Sequence, residues 1–145
     1  MWISKGQRDR LGAMREAMDA AVRAVADNAA VINEAAAIVR AWTPGAYCAG
    51  EVRAFEGIPY RCVQAHDSAD NLNWTPGAAP ALWMQYHGTT PETARAWIPP
   101  AGAHDAYRAG EYMVWTDGAV YRCLADTAYS PPEHADAWEA HIFTP

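Results

Sequence analysis

Gly57-Ile58-Pro59-Tyr60-Arg61-Cys62 returns downstream as Gly118-Ala119-Val120-Tyr121-Arg122-Cys123, and this recurrence decides how the chain is read. Working outward from it, Tyr47-Cys48-Ala49-Gly50-Glu51 is matched by Tyr107-Arg108-Ala109-Gly110-Glu111, and Trp42-Thr43-Pro44 by Trp97-Ile98-Pro99. On the other side, Trp74-Thr75-Pro76 is matched by Tyr129-Ser130-Pro131, and Trp83 by Trp138. Blocks kept in one order mark an internal repeat. Each copy reads as a short antiparallel meander. Val52 to Phe55 and Tyr112 to Trp115 are first strands, Glu56-Gly57 and Asp117-Gly118 are hairpin turns needing positive φ, and Pro59 to Gln64 and Val120 to Ala125 are second strands. Strands at Trp83 and Trp138 complete two three-stranded sheets. A copy this small is near the lower limit for an independent core, so aromatic rings must replace missing aliphatics.

The composition agrees. Of 145 residues, seven are Trp and seven Tyr but only two are Phe, and much of the hydrophobic fraction of 51% is alanine. Such rings build small cores and also suit a surface that grips something flat. A net charge of −6 argues against a nucleic-acid partner, whose phosphates need concentrated Lys and Arg. No window has the roughly 20 apolar residues of a membrane span. The start, Met1-Trp2-Ile3-Ser4-Lys5-Gly6, runs into a charged helical pattern without the apolar stretch of a secretory signal. Cys48, Cys62 and Cys123 lack zinc-site spacing, so no metal or cofactor is expected, and Cys62 and Cys123 read as small buried hydrophobes at equivalent positions. A Cys48–Cys62 disulfide between neighbouring strands stays open.

From about Ser4 to Arg40 there is no proline, and Ala, Met, Glu and Arg predominate, which predicts helix. Leu11, Met18, Val25, Ile32 and Val39 repeat every seventh residue, followed three residues on by Met14, Ala21, Asn28, Ala35 and Trp42. This is the seam of a coiled coil, with Asn28 as a polar position that would fix register. The alternative is packing within the chain, or a helical hairpin broken near Ala26-Asp27-Asn28 with Asp27 or Asn28 capping the second helix. The expected organisation is mainly β with an N-terminal α-helix: a helix over 1–41, a first module over 42–86, a linker over 87–96 and a second, divergent module over 97–145.

The string Tyr60-Arg61-Cys62-Val63-Gln64-Ala65-His66-Asp67-Ser68, continuing through Trp74-Thr75-Pro76 to Pro80-Ala81-Leu82-Trp83, resembles the chitin-binding type 3 domains of carbohydrate-binding module families 5 and 12. The family pattern A-Y-x-x-G-[DE]-x-V, G-x-x-Y-x-C-x-x-x-H-[TD]-S, W-x-P and P-x-L-W is met almost throughout from Ala46 to Trp83. The second copy departs from it, with Asp126-Thr127-Ala128 in the His-x-Ser segment and Tyr129 in place of the W-x-P tryptophan. The helical start, close to M-x-I-S-K-x-Q-R-D, and the segment Ile98 to Tyr107 are similar to small proteins encoded among tail genes of phages and prophages of Gram-positive bacteria.

The resemblance implies a non-catalytic polysaccharide binder, carried on a virion, in which the W-x-P tryptophan, here Trp74, stacks on a sugar ring. The candidate contacts are Trp74, His66, Asn73 and Pro76 in the first copy, with Tyr129 and Trp115 in the second; Asn71 is a further polar neighbour. Tyr47, Tyr60, Tyr107, Tyr121, Trp83 and Trp138 read as core. The carboxylates Asp67, Asp70, Asp126, Glu133 and Asp136 lie in loops with no deep cleft between them, and His104-Asp105 and His134 lack a nucleophile, so no enzyme is expected. A homo-oligomer, a trimer favoured, would multiply weak sites, and Trp2 and Ile3 would contact other virion proteins. The competing reading is a structural virion protein whose modules no longer bind sugar. A secreted chitinase accessory is disfavoured by the missing signal and catalytic domain.

Overall fold

The computed structural model describes residues 3–142. Trp2 lies outside them, and Ile3 is exposed. Helix α1 spans Lys5–Ala24. Ser4 starts it with a capping box: its hydroxyl accepts from the Gln7 amide at 3.1 Å, and its own amide donates to Gln7 Oε1 at 2.7 Å. The helical stretch does not run on to Arg40. It turns over 25–27, and Asn28 caps a second helix, α2 (Ala29–Glu34), by accepting from the Val31 amide at 3.2 Å. A 3₁₀ turn at Ala36–Ile38 follows.

The break corrects the seven-residue seam. Asn28 is a cap, not a buried seam residue. Val22, Ala26, Ile32 and Val39 fold together onto Val52 and Tyr86 of the first module in one buried cluster. Leu11 and Met14, on the outer turns of α1, remain 54% and 61% exposed. Packing within the chain therefore uses the C-terminal half of the helical segment and leaves the N-terminal half uncovered.

The first module has a two-stranded sheet of β1 (Ala46–Tyr47) and β4 (His66–Asp67), and a three-stranded antiparallel sheet in the order β2 (Val52–Phe55), β3 (Ile58–Cys62), β5 (Trp83–Gln85). The register sets Phe55 opposite Ile58 and Cys62 opposite Trp83. Glu56 and Gly57 both have positive φ, as the two-residue hairpin demands. Tyr47, Tyr60, Cys62 and Trp83 form the core, with Trp42, Phe55, Ile58 and Leu82 packed against it.

The second sheet has four strands, in the order β6 (Arg95–Ala96), β7 (Tyr112–Val114), β8 (Val120–Cys123), β9 (Trp138–Ala140). The added strand β6 pairs parallel to β7. It comes from residues expected to be linker, which are in fact packed. Tyr112 donates its amide to the Gly88 carbonyl at 2.8 Å, and a Cβ at Gly88 would strike the backbone of Thr93. Ala41 makes the corresponding parallel bridge to Ala54 in the first module. The second hairpin also differs from expectation, because Gly118 has positive φ while Asp117 does not. With Thr116 as an extra loop residue, Asp117 instead accepts the Ala119 amide at 2.8 Å through its side chain.

Both modules share internal bonds. The amides of Gly50 and Gly110 donate to the carbonyls of Cys62 and Cys123, each at 2.8 Å, and the Cys62 and Cys123 thiols donate to the carbonyls of Gln64 and Ala125. All three cysteines are free, with Cys48 exposed and the others buried, so the Cys48–Cys62 bridge is not formed. Burial pushes the Cys123 thiol up to about 11.

A polar joint ties the parts. Asn33 of α2 donates to the His87 carbonyl at 3.0 Å and accepts from Arg95 at 2.8 Å, while Arg95 also donates to the Tyr86 carbonyl at 2.6 Å. His87 stacks on Tyr107 at 3.7 Å and 8°, with its Nδ1 at 3.1 Å from Glu111.

Candidate functional site

Trp74 stands on a loop that repeated tight turns hold in place. The fully buried Ser68 anchors it: its hydroxyl donates to the Gly45 carbonyl and accepts the Gly45 amide, both at 3.1 Å. From there Asn71 donates its amide to Ser68, Trp74 to Asn71, and Ala78 and Ala79 to Thr75, all at 3.0 Å. The proline of the W-x-P motif is fully buried. Pro76 is thus a peg that seats the loop and cannot reach a sugar, which corrects its place among the candidate contacts.

Trp74 itself is 40% exposed. One edge of it is held by His66, whose ring lies at 6.4 Å and 67°. His66 is wedged in turn against Trp83 (5.6 Å, 85°) and Tyr47 (6.0 Å, 35°). Its Nδ1 lies 2.7 Å from the Gln64 carbonyl, and its Nε2 is buried with no partner. In this position His66 supports the edge of the indole. Asn71 and Asn73 are exposed beside Trp74 and offer amide donors and acceptors. Leu72, 66% exposed, adds an apolar patch that sequence reading missed; a lone leucine in a polar loop carries no signal of its own.

Tyr129, the counterpart of Trp74, is 59% exposed. Its carbonyl accepts the Trp138 indole N–H at 2.9 Å and its amide donates to Thr127 Oγ1 at 3.1 Å. It shares a shallow hollow with Glu133 and His134. Glu133 accepts from the Ser130 amide at 3.2 Å and hydroxyl at 2.7 Å, and these bonds hold its carboxyl below the usual glutamate range. The Ser-x-x-Glu spacing of a capping box signals that pairing in the sequence. Trp115 is half-buried, packed edge-on against Trp97 at 5.8 Å and 68°, and lines a different hollow from Tyr129. Trp74 thus has His66 against its edge and Asn73 beside it in the chain, while Tyr129 and Trp115 line two different hollows of the second module.

A hollow of about 450 Å³ lies where α2 and both modules meet. Arg61 pairs there with Asp27 and Arg108 with Asp126, and His87 Nδ1 lies 3.1 Å from Glu111. Among the described residues, no group of three His, Cys, Asp or Glu side chains is placed to hold a metal ion, and no helix is long and apolar enough to cross a membrane.

Residues 41–84, the whole segment from the parallel bridge at Ala41 through the loop of Trp74 to β5, match carbohydrate-binding module family 5/12. A 45-residue stretch, 30% of this chain, is 44% identical to Streptogrisin-C of Streptomyces griseus, and it spans only 9% of that protein. A carbohydrate-binding module is a non-catalytic domain, and the match to one covers less than half of this chain.

Proposed function

We propose that the chain is a non-catalytic adhesin that holds cell-surface polysaccharide through exposed aromatic side chains. The observation that carries this reading is Trp74, an indole left 40% exposed on a rigid loop inside the segment that matches a carbohydrate-binding module. A pyranose presents C–H groups on its faces, and an indole offers them the broadest flat apolar surface. Covering ~60–80 Å² at ~25 cal/mol per Å² contributes ~1.5–2 kcal/mol. Hydrogen bonds from Asn71 and Asn73 add to it, and the affinity of one site falls roughly between millimolar and tens of micromolar.

The second module is a divergent copy of the first, with Tyr129 as its stacking residue. Its support is the shared set of bonds around Gly50 and Gly110, and around Cys62 and Cys123. Weak sites gain from repetition, and linking them raises avidity by ~10²–10⁴. Self-association through the uncovered outer turns of α1, as a trimer, supplies the repetition. The carrier is a phage particle, as a tail or decoration protein facing the host surface; the support is the likeness of the chain's start, Met1 to Asp9, to phage tail-gene products.

Purified protein and its Trp74→Ala variant are to be mixed with insoluble chitin and with host cell-wall polysaccharide. Retention of the wild type by either material, lost in the variant, is the expected result. If neither material retains the wild type, adhesion through these polysaccharides fails as an explanation and the reading as a structural virion protein takes the lead.

A further inference from the structure

The second module holds another aromatic hollow, on different residues from Tyr129. Trp115 and Tyr121 line it together with Trp138, and Pro131, Pro132 and Asp117 complete its rim. Its volume is about 330 Å³, the small end of the ~300–1,000 Å³ of ligand pockets. We propose that this cleft is a second saccharide site, distinct from the Trp74 and Tyr129 surfaces, that takes a single pyranose unit of a polysaccharide chain. The inference rests on the reading of the molecule as a saccharide binder.

The first module shows why the cleft is specific to the second. There, the Phe55 ring lies over Gly77 in ordinary van der Waals contact, so that a Cβ on that glycine would stand 3.4 Å from the ring and 3.8 Å from the Tyr60 hydroxyl. Tyr60 is further occupied by Gln85, whose side-chain amide donates to its hydroxyl at 3.4 Å. In the second module the residue after the motif proline is Pro132 instead of Gly77, and Trp115 stands in place of Phe55. Strand pairing sets Tyr121 opposite Ala140 where Tyr60 faces Gln85. A pyrrolidine ring occupies the position over which an aromatic ring would close, and the tyrosine loses its amide partner. The space stays open.

What remains open is polar in the manner a sugar requires. The indole N–H of Trp115 and the hydroxyl of Tyr121 have no partner among the described residues. Asp117 commits one carboxylate oxygen to the Ala119 amide and leaves the other unbonded among them. The lining residues thus carry one donor, one donor–acceptor and one anionic acceptor beside aromatic rings, the groups that a sugar with hydroxyls on its edge and C–H groups on its face requires. A proline-rich peptide would instead use an extended aromatic groove, whereas this hollow is compact and has a carboxylate on its rim.

The test is a titration of ¹⁵N-labelled full-length protein with the tetramer of β-1,4-linked N-acetylglucosamine and with soluble host cell-wall fragments, following the tryptophan indole signals. The Trp115 indole is expected to move saturably, in the wild type and in a Trp74→Ala/Tyr129→Ala background. Tyr121→Phe and Asp117→Asn, which keep ring and shape, are each expected to weaken that response about 3- to 10-fold. If the Trp74 indole moves and that of Trp115 does not, the cleft is refuted while the Trp74 site stands. If neither moves with either ligand, both readings fall. A proline-rich decapeptide that shifts Trp115 where saccharides do not would assign the cleft to peptide and overturn the proposal.

Discussion

An indole keeps one face free and its orientation fixed only when its other edges are packed, and at Trp74 that packing comes from a histidine, a serine and a proline of the same module. His66 holds the edge, Ser68 pins the loop to Gly45, and Pro76 seats it from below the surface. Glu133 shares a hollow with Tyr129. Its carboxyl is fully exposed, yet two bonds from Ser130 favour the charged form. Because its folded pKa is depressed, the stabilisation is present above the unfolded-state value and is lost as pH falls through the folded one. Ser130→Ala, which removes the hydroxyl bond and leaves the amide bond, is expected to raise the Glu133 pKa part of the way toward the usual range, read by carboxyl-carbon NMR titration; an unchanged value would mean that the hydroxyl bond does not form in solution. The W-x-P motif was legible as a sequence, and it located the exposed tryptophan. The separate roles of its proline and of the nearby histidine were not, because which atoms of a motif face inward depends on how the loop closes.

At the scale of elements, periodicity was a good guide to which residues are apolar and a poor one to what they pack against. The helical character of 4–40 and all six main strands of the two meanders follow from residue type and turn chemistry. The seven-residue repeat does not survive as one helix, since Asn28 serves better as a cap than as a buried amide. Val22, Ile32 and Val39 turn instead to Val52 and Tyr86. Strand β6 escaped notice because two residues, Arg95 and Ala96, are too few to show alternation, and its pairing is parallel. The outer turns of α1 keep Leu11 and Met14 on the surface. If they are the oligomer contact, sedimentation equilibrium will show a wild-type assembly that Leu11→Glu/Met14→Glu converts to monomer with its folded modules intact. A wild type that is monomeric at every concentration would contradict the trimer.

The molecule as a whole is held together by polar contacts and stacked rings as much as by aliphatic burial. Asn33, Arg95 and the Tyr86 carbonyl link the helices to the second module, and His87, Tyr107 and Trp97 form a stack with spacings of 3.7 and 5.1 Å. Burial raises the Tyr86 and Tyr107 phenols to about 12, from 10.0. The unfolded chain therefore releases these protons first, so their contribution is complete below pH 10 and is lost as pH rises toward 12. The denaturant midpoint is expected to fall across that interval, and less steeply in Tyr86→Phe; a midpoint independent of pH there would show that the phenols are not buried together in the folded state. None of this joint could be read from the sequence, which gave no hint that residues 87–96 were packed.

Binding of sugar by the exposed indole is the claim on which the rest depends, and isothermal titration calorimetry with a soluble N-acetylglucosamine hexamer tests it most directly. The wild type is expected to bind with a dissociation constant roughly between tens of micromolar and millimolar. Trp74→Ala is expected to weaken binding at the first module by at least about tenfold, the loss of ~1.5–2 kcal/mol of stacking. Heat that is absent in the wild type, or unchanged at every site in Trp74→Ala, would contradict the account.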